Sequence, residues 1–544
     1  MSKVAQYLNE HLLGEVTTNE GVRRRFATDG SVLTIMPDMV IYPRTTSDVR
    51  KIARFSWQLA EKGHRIPMTP RGGGTDQTGA AIGSGVVVNM MAHMDQILEI
   101  DAKQRLVRVQ PGVTFKALND ALRLQGLYIP SFPVSAAYST IGGAVANNTS
   151  GVLSGKYGST SEWVHQLEIV LTNGEVLQTG RVNKKELSRK KGLQTYEGEI
   201  YRSIDNLIVD NNEVIDTLAV EMRDNVGYNV VDVRHSDGSI DLAPLFVGSQ
   251  GTLGLISEII LKTEHVSHNP LVGVIAFVDY DAARDGLDVL RSMDPSLLEL
   301  IDGRLLAEAT ERGKRYQFYT DALENGDVAA VALFEFDDAG DRTKKKIAKK
   351  IEKLFNDNST YVAMEHEQEK AEELRAVGNV TYLAELPDKQ ELSAPPLLDG
   401  AYVPSERFED FAKALAALET KHHVELPLCG HAGQNVYYTR PLLNLQKVGD
   451  RHKAIKLLAE WSAVVAEHGG HLIGEAGEGR LKAPFSYNNL DKEITDLYAA
   501  VKGIFDPLDI MNSGVKQSTD LRKIVELLRD DYDGSDFANY VGSD

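Results

Sequence analysis

A chain of 544 residues exceeds one ordinary hydrophobic core, so two or more domains are expected. With 42% hydrophobic and 25% charged residues it has the composition of a globular protein, which excludes a largely disordered chain. The net charge of −19 provides no general attraction for nucleic acid or anionic lipid, and the single cysteine, Cys429, excludes internal disulfides and all-cysteine metal centres.

The first ~35 residues read as a helical leader whose start, MSKVAQYLNEHLLGEV, lacks the apolar stretch of a signal peptide. No apolar run reaches the ~18 residues of a membrane span. The cytoplasm is the expected location, with peripheral membrane attachment left open. From Val40 to about Lys262 short strands alternate with glycine-rich turns. Helices are expected over Ser47–Glu61 and Thr114–Gln125, stopped by Gly63 and Gly126. Val86–Val88 and Leu106–Gln110 read as strands. Leu167–Leu171 and Glu175–Leu177, joined by Asn173-Gly174, read as a hairpin with a type I′ turn. From Pro270 to Leu428, strands at Leu271–Val278, Val328–Phe336 and Val424–Leu428 alternate with helices at Ala282–Met293, Arg342–Phe355 and Ser405–Thr420, the last with a serine cap. Lys344, Lys345, Lys346, Lys349, Lys350 and Lys353 read as a solvated helix face rather than a phosphate site.

Four segments hold more glycine and small polar residues than turns require: Thr69–Gly79 (TPRGGGTDQTG), Ile141–Gly151, Lys156–Thr160 and Phe246–Ser257. Three consecutive glycines free several backbone N–H groups to converge on one anion, such as a pyrophosphate. By itself such a triplet is more often a plain surface turn. Neither a P-loop nor a Rossmann fingerprint is present, which disfavours a nicotinamide enzyme.

Taken in order, the blocks IYPRTTSDVRKIARFS, PRGGGTDQTG, VQPGVTFKALNDAL, STIGGAVANNTSG, LEIVLTNGEVL and FVGSQGTLGLISEIILK resemble the PCMH-type FAD domain of the vanillyl-alcohol oxidase family. That resemblance implies an α+β fold, with a two-subdomain FAD-binding domain followed by an α+β cap, the C-terminal domain of FAD-linked oxidases. The implied division is a leader at 1–36, the FAD domain at 37–266, the cap at 267–516 with its end returning to the flavin, and an acidic tail at 517–544. The cofactor contacts carried over fall on Arg71, Gly72, Gly73, Gly74, Thr75, Pro133, Thr140, Gly142, Gly143, Asn147, Gly151, Ile256 and Asn512. Thr75 stands where some members carry the histidine that bonds the flavin, so the FAD is expected to be non-covalent.

The later half resembles the D-lactate, glycolate and D-2-hydroxyglutarate dehydrogenase branch through Leu374-Arg375, AYVP, CGHAGQNVYY, GGHLIGEAGEGRLKAPF and IFDPLDIMNSGVK. The branch implies dehydrogenation of a D-2-hydroxy acid, lactate-like, with hydride passing to flavin N5 and an arginine fixing the carboxylate. Arg375 matches that arginine, and a surface salt bridge is its plain alternative. The branch binds a divalent metal through two histidines and a glutamate. Here His431 and Glu475 remain, but Tyr438 replaces the second histidine and Ala476 the catalytic one, so no metal set is assigned. His431, Glu475 and Tyr438 are the candidate catalytic groups, with a structural histidine the alternative for His431. The other functional readings are an oxidase of another alcohol and a flavin-binding protein with lost or altered catalysis. Expected partners are a small hydroxy acid or alcohol and an acceptor such as a quinone, a partner protein or oxygen, without nucleic acid. A homodimer is compatible with the sequence.

Overall fold

The computed structural model describes residues 3–220, 225–267, 270–337, 340–355, 360–380, 392–517 and 520–532. The chain divides into two units. One comprises Met1–Thr149, Ser159–Glu264 and Glu475–Arg529, the other Ser150–Gly158, His265–Gly474 and Asp530–Asp544. The stretch 475–516, read from sequence as part of the cap, therefore packs in the first unit. Of the acidic tail, residues 518–519 and 533–544 lie outside the described residues.

In the first unit, β1 (Glu15–Thr17), β2 (Met39–Tyr42), β3 (Met68–Arg71) and β4 (Val86–Asn89) form a sheet in the order β1-β2-β4-β3. Parallel pairing of β2 and β3 with β4 buries β4 on both faces, which explains its unbroken valine run. The helix Thr46–Ala60 covers this sheet with Val49, Ile52 and Ala53, and Thr45 caps it by accepting the Asp48 N–H. The Asp48 carboxylate, fully buried, accepts the N–H groups of Leu13, Gly14 and Arg44 and so fastens the leader to the sheet.

A second, antiparallel sheet has the order β5-β6-β10-β8-β9, from β5 (Ile97–Asp101), β6 (Leu106–Val109), β8 (Val164–Val170), β9 (Val176–Gln178) and β10 (Leu255–Lys262), with β7 (Leu127–Tyr128) outside it. The hairpin β8–β9 forms, but its turn is not type I′. Gly174 alone takes a positive φ, of 80°, while the Asn173 side chain accepts the Glu175 N–H, an Asx turn that needs no left-handed asparagine.

The second unit is built on a seven-stranded antiparallel sheet in the order β15-β12-β14-β13-β17-β18-β16. Beyond the two-residue β11 (Glu264–His265), these are β12 (Leu271–Phe277), β13 (Leu297–Asp302), β14 (Ala330–Phe336), β15 (Thr360–Glu365), β16 (Leu398–Tyr402), β17 (Leu428–His431) and β18 (Val436–Thr439). Two sequence expectations shift here. The strand expected at Val424–Leu428 begins only at Leu428 and runs through His431. The helix expected from Ser405 opens as a 3-10 turn over Ser405–Arg407, and the α-helix proper spans Phe408–His422 without a side-chain cap. Among the described residues no helix is long and apolar enough to cross a membrane.

Candidate functional site

The triglycine loop leaves the end of β3, the point at which a strand of a parallel sheet delivers its ligand-binding loop. It runs against the segment Tyr138–Thr140. A Cβ on Gly73 would lie 2.1 Å from the Tyr138 carbonyl oxygen, and Gly74 turns at φ 76°, so neither position accepts a side chain without moving backbone. No hydrogen bond among the described residues engages the peptide N–H groups of Gly73, Gly74, Thr75 and Asp76. The helix Ile141–Asn147 differs. Its first N–H groups are already committed, Ile141 to Val113 O at 2.8 Å, Gly142 to Pro111 O at 2.9 Å, and Gly143 to Thr140 Oγ1 at 3.2 Å. Anion-binding capacity therefore lies in the loop.

Loop and helix border a cavity of about 800 Å3, counting the part open to solvent. Of the sequence candidates, Arg71, Gly72, Gly73, Gly74, Thr75, Thr140, Gly142, Gly143, Asn147 and Ile256 line it. Arg71 serves the frame, with Nη1 donating to Thr28 O at 2.8 Å and Ala81 O at 3.1 Å. The Thr75 and Ser139 hydroxyls are 2.9 Å apart. Asn512 is buried behind the wall, where it accepts from Thr69 Oγ1 and donates to Ala80 O and Gln250 O, joining three segments of the unit. Pro133 sits in a turn outside the lining residues, its carbonyl accepting the Ala136 N–H. Gly151 belongs to the second unit and donates to Ser154 Oγ at 2.7 Å.

Sequence reasoning missed the carboxylates around this loop. Asp76 lines the cavity and accepts from Asn147 Nδ2, from Thr78 N–H and Oγ1, and from Ala80 N–H. Asp29, in the presumed leader, accepts from Ser31 and from the Ala81 N–H, while the Gly30 N–H donates to Gly74 O. Burial and the nearby Asp76 charge push the Asp29 carboxyl up to about 7, against the opposing pull of Ser31 and Arg71. Gln250 completes the floor, donating to Asn147 Oδ1 at 2.8 Å and accepting the Gly479 N–H at 2.9 Å. The signals were present as the DQTG that follows the glycines and the SQG of the fourth block.

Of the other candidates, His431 and Tyr438 lie on one face of the second unit's sheet, and Arg375 reaches that face from the end of the helix Gln368–Arg375. Paired residues of antiparallel strands share a face. The pairs Leu297↔Glu335, Leu300↔Gly430 and Cys429↔Tyr438 therefore place Glu335, Glu299, His431 and Tyr438 together. Half of this face is apolar, with Val272, Val274, Ile301 and Val331. The rest carries charge. His431 Nδ1 lies 2.6 Å from Glu299 Oε1, Arg375 Nε donates to Glu335 Oε2 at 2.7 Å, and Arg440 Nε is 3.5 Å from Asp399 Oδ1. The Arg440 guanidinium stands 5.8 Å from the Tyr438 ring centre, and the His431 and Tyr438 rings meet edge-on at 6.0 Å. Glu299, Glu335, Asp399 and Arg440 are all buried. A buried ion pair adds little over well-packed apolar residues, so stability alone does not account for three such pairings in a row on one sheet face. Among the described residues no three histidine, cysteine or acidic side chains converge as a metal site. Glu475 opens the last segment of the first unit, where Ala476 has φ 53° and Gly477 packs on Gln250.

Residues 37–180 match the FAD binding domain, and residues 269–515 match the C-terminal domain of FAD linked oxidases. Glycolate oxidase subunit GlcD of Bacillus subtilis is 29% identical over 90% of this chain and 91% of its own length. D-2-hydroxyglutarate dehydrogenase of Pantoea ananatis is 28% identical over 92% of this chain but only 50% of its own. The chain thus spans about half the length of several curated relatives it matches. D-lactate dehydrogenase of Anaerostipes hadrus is 24% identical over 88% of this chain and 89% of its own. Among solved structures, 4-ethylphenol oxidase from Gulosibacter chungangensis superposes with a TM-score of 0.68 at 16% identity, covering 96% of this chain and 98% of its own. p-Cresol methylhydroxylase gives 0.68 at 13% identity, over 95% and 96%.

Proposed function

Because the two matched domains make this chain a member of the PCMH-type FAD-linked oxidoreductases, we propose that it dehydrogenates a D-2-hydroxy acid, lactate-like in its reacting end. FAD held without a covalent bond beside the triglycine loop supplies the hydride acceptor in this reading.

The observation that carries the cofactor assignment is the run of uncommitted peptide N–H groups at Gly73–Asp76, a cradle for a pyrophosphate. Thr75 offers a hydroxyl, which cannot make the bond to flavin that a histidine can. On the sheet face of the second unit, Arg375 and Arg440 are the cations able to fix a carboxylate by paired hydrogen bonds. His431, oriented by Glu299, takes the hydroxyl proton, since a carboxylate on one ring nitrogen raises the basicity of the other. Tyr438 packs its ring in the apolar cluster beside them and shapes the surface. Electrons then leave to an external acceptor, a quinone, a carrier protein or oxygen.

The test is an anaerobic panel of D- and L-2-hydroxy acids added to purified holoprotein. Loss of flavin absorbance near 450 nm with a D-hydroxy acid, and release of free flavin on denaturation, are the expected results. Flavin that no panel member bleaches sinks the substrate assignment, and colourless protein that takes up no added FAD sinks the cofactor assignment as well. Peroxide formed under air would select oxygen over the other acceptors.

A further inference from the structure

The helix Asp341–Leu354 in the second unit carries Arg342, Lys345, Lys346, Lys349, Lys350 and Lys353, all at its solvent side. At about 100° per residue these six fall within an arc of about 140° on the helix surface. Ile351 and the stem of Lys344, both buried, lie opposite. Other basic residues of the protein do form ion pairs, as Lys190 with Glu197, Lys191 with Asp205 and Arg108 with Glu258. None of the six makes an ion pair with any described residue. The acidic residues of the same helix, Asp341 and Glu352, lie together at one edge of the arc. A chain with a net charge of −19 thus keeps a bare cationic stripe about 17 Å long, at ~1.5 Å per residue.

We propose that this helix is a docking surface for an acidic segment of a partner protein. The stripe contains no apolar side chain, and stable attachment to lipid needs an inserted apolar group or acyl chain besides basic charge. An extended polyanion such as duplex nucleic acid would meet the acidic remainder of the chain beyond the ~8 Å Debye length of the stripe. A short run of carboxylates on a folded partner or its tail matches both the length and the sign. Such contacts are small, steer the encounter and dissolve in salt, which suits a transient partner.

The probe is a fluorescein-labelled 20-residue polyglutamate, titrated by anisotropy against the full-length protein and against the Lys345→Gln, Lys346→Gln, Lys349→Gln, Lys350→Gln quadruple variant. A 20-base-pair duplex DNA and phosphatidylserine vesicles serve as competitors. The expected result is binding to polyglutamate that weakens at least tenfold in the variant and at least tenfold between about 50 and 300 mM salt, with flavin content and melting temperature unchanged. No binding, binding equal in the variant, or stronger capture by DNA or vesicles overturns the proposal. A concentration-dependent dimer of the wild type that the variant abolishes also overturns it, since the occupant would then be a second copy.

Discussion

Asn147 reaches from its helix to the triglycine loop, its Nδ2 donating to Asp76 Oδ1 at 2.9 Å while its Oδ1 accepts from Gln250. One side chain thereby fixes loop and floor at the same separation. Replacing Asn147 by alanine removes both bonds, each worth about 1 kcal/mol. FAD affinity should fall ten- to hundredfold, read by flavin fluorescence on dilution, and the apoprotein should lose about 2 kcal/mol of stability by denaturant titration.

Gly73→Ala tests the cradle itself. The new Cβ would stand 2.1 Å from a backbone oxygen, so the loop must move. The variant should retain less than a tenth of the wild-type flavin after gel filtration, and lose about 1–3 kcal/mol of stability by denaturant titration.

Asp29 makes stability depend on pH in an unusual direction. Its carboxyl is raised in the folded protein to about 7, so between its ordinary value and 7 the folded state binds the extra proton. Its contribution is fully present below the unfolded value and is lost as pH rises through 7. Melting temperatures measured from pH 4.5 to 8 should show this decline, and Asp29→Asn should flatten it. An unchanged slope would count against the carboxyl.

On the sheet face of the second unit, Glu299→Gln should lower kcat for the hydroxy acid about tenfold or more with little change in KM. Arg440→Ala should instead raise KM at least tenfold. Steady-state dye reduction separates the two. Equal effects of both variants on KM alone would leave His431 without its proposed role.

The sequence made the cofactor site legible because its parts are contiguous blocks, each carrying its own glycine signature. It concealed what pins those blocks. Asp29 sits in a stretch that reads as a leader, and the reach of Asn512 to Thr69 spans 443 residues. In the second unit, Glu299 was visible only as one acid inside the apolar run LLELID, a burial anomaly whose partner His431 lies 132 residues away. No strand is expected there from the sequence, and the apolar run does not say which strands become neighbours; that neighbourhood joins His431 to Glu299.

The buried pair Glu478–Lys516, 2.6 Å apart, lies in the segment that returns to the first unit. Lys516→Met should cost about 3–5 kcal/mol by stranding the glutamate. Combining Glu478→Leu with Lys516→Met should recover most of that loss, because no buried charge is then left alone. Chemical denaturation of the three proteins would show the difference.

The first unit is drawn from three stretches of chain, and its strand β3 pairs through Met68 with Met511. On the ribosome roughly 210 residues must be made between Glu264 and Glu475. At about 5–20 residues per second that is a wait of roughly 10–40 s. During it the nascent flavin site has its glycine loop but lacks Arg480 and Asn512, which hold its back wall. Assembly of the cofactor site is therefore a late event of synthesis, and a growing chain that stops short of Asn512 carries the cradle without the wall that steadies it.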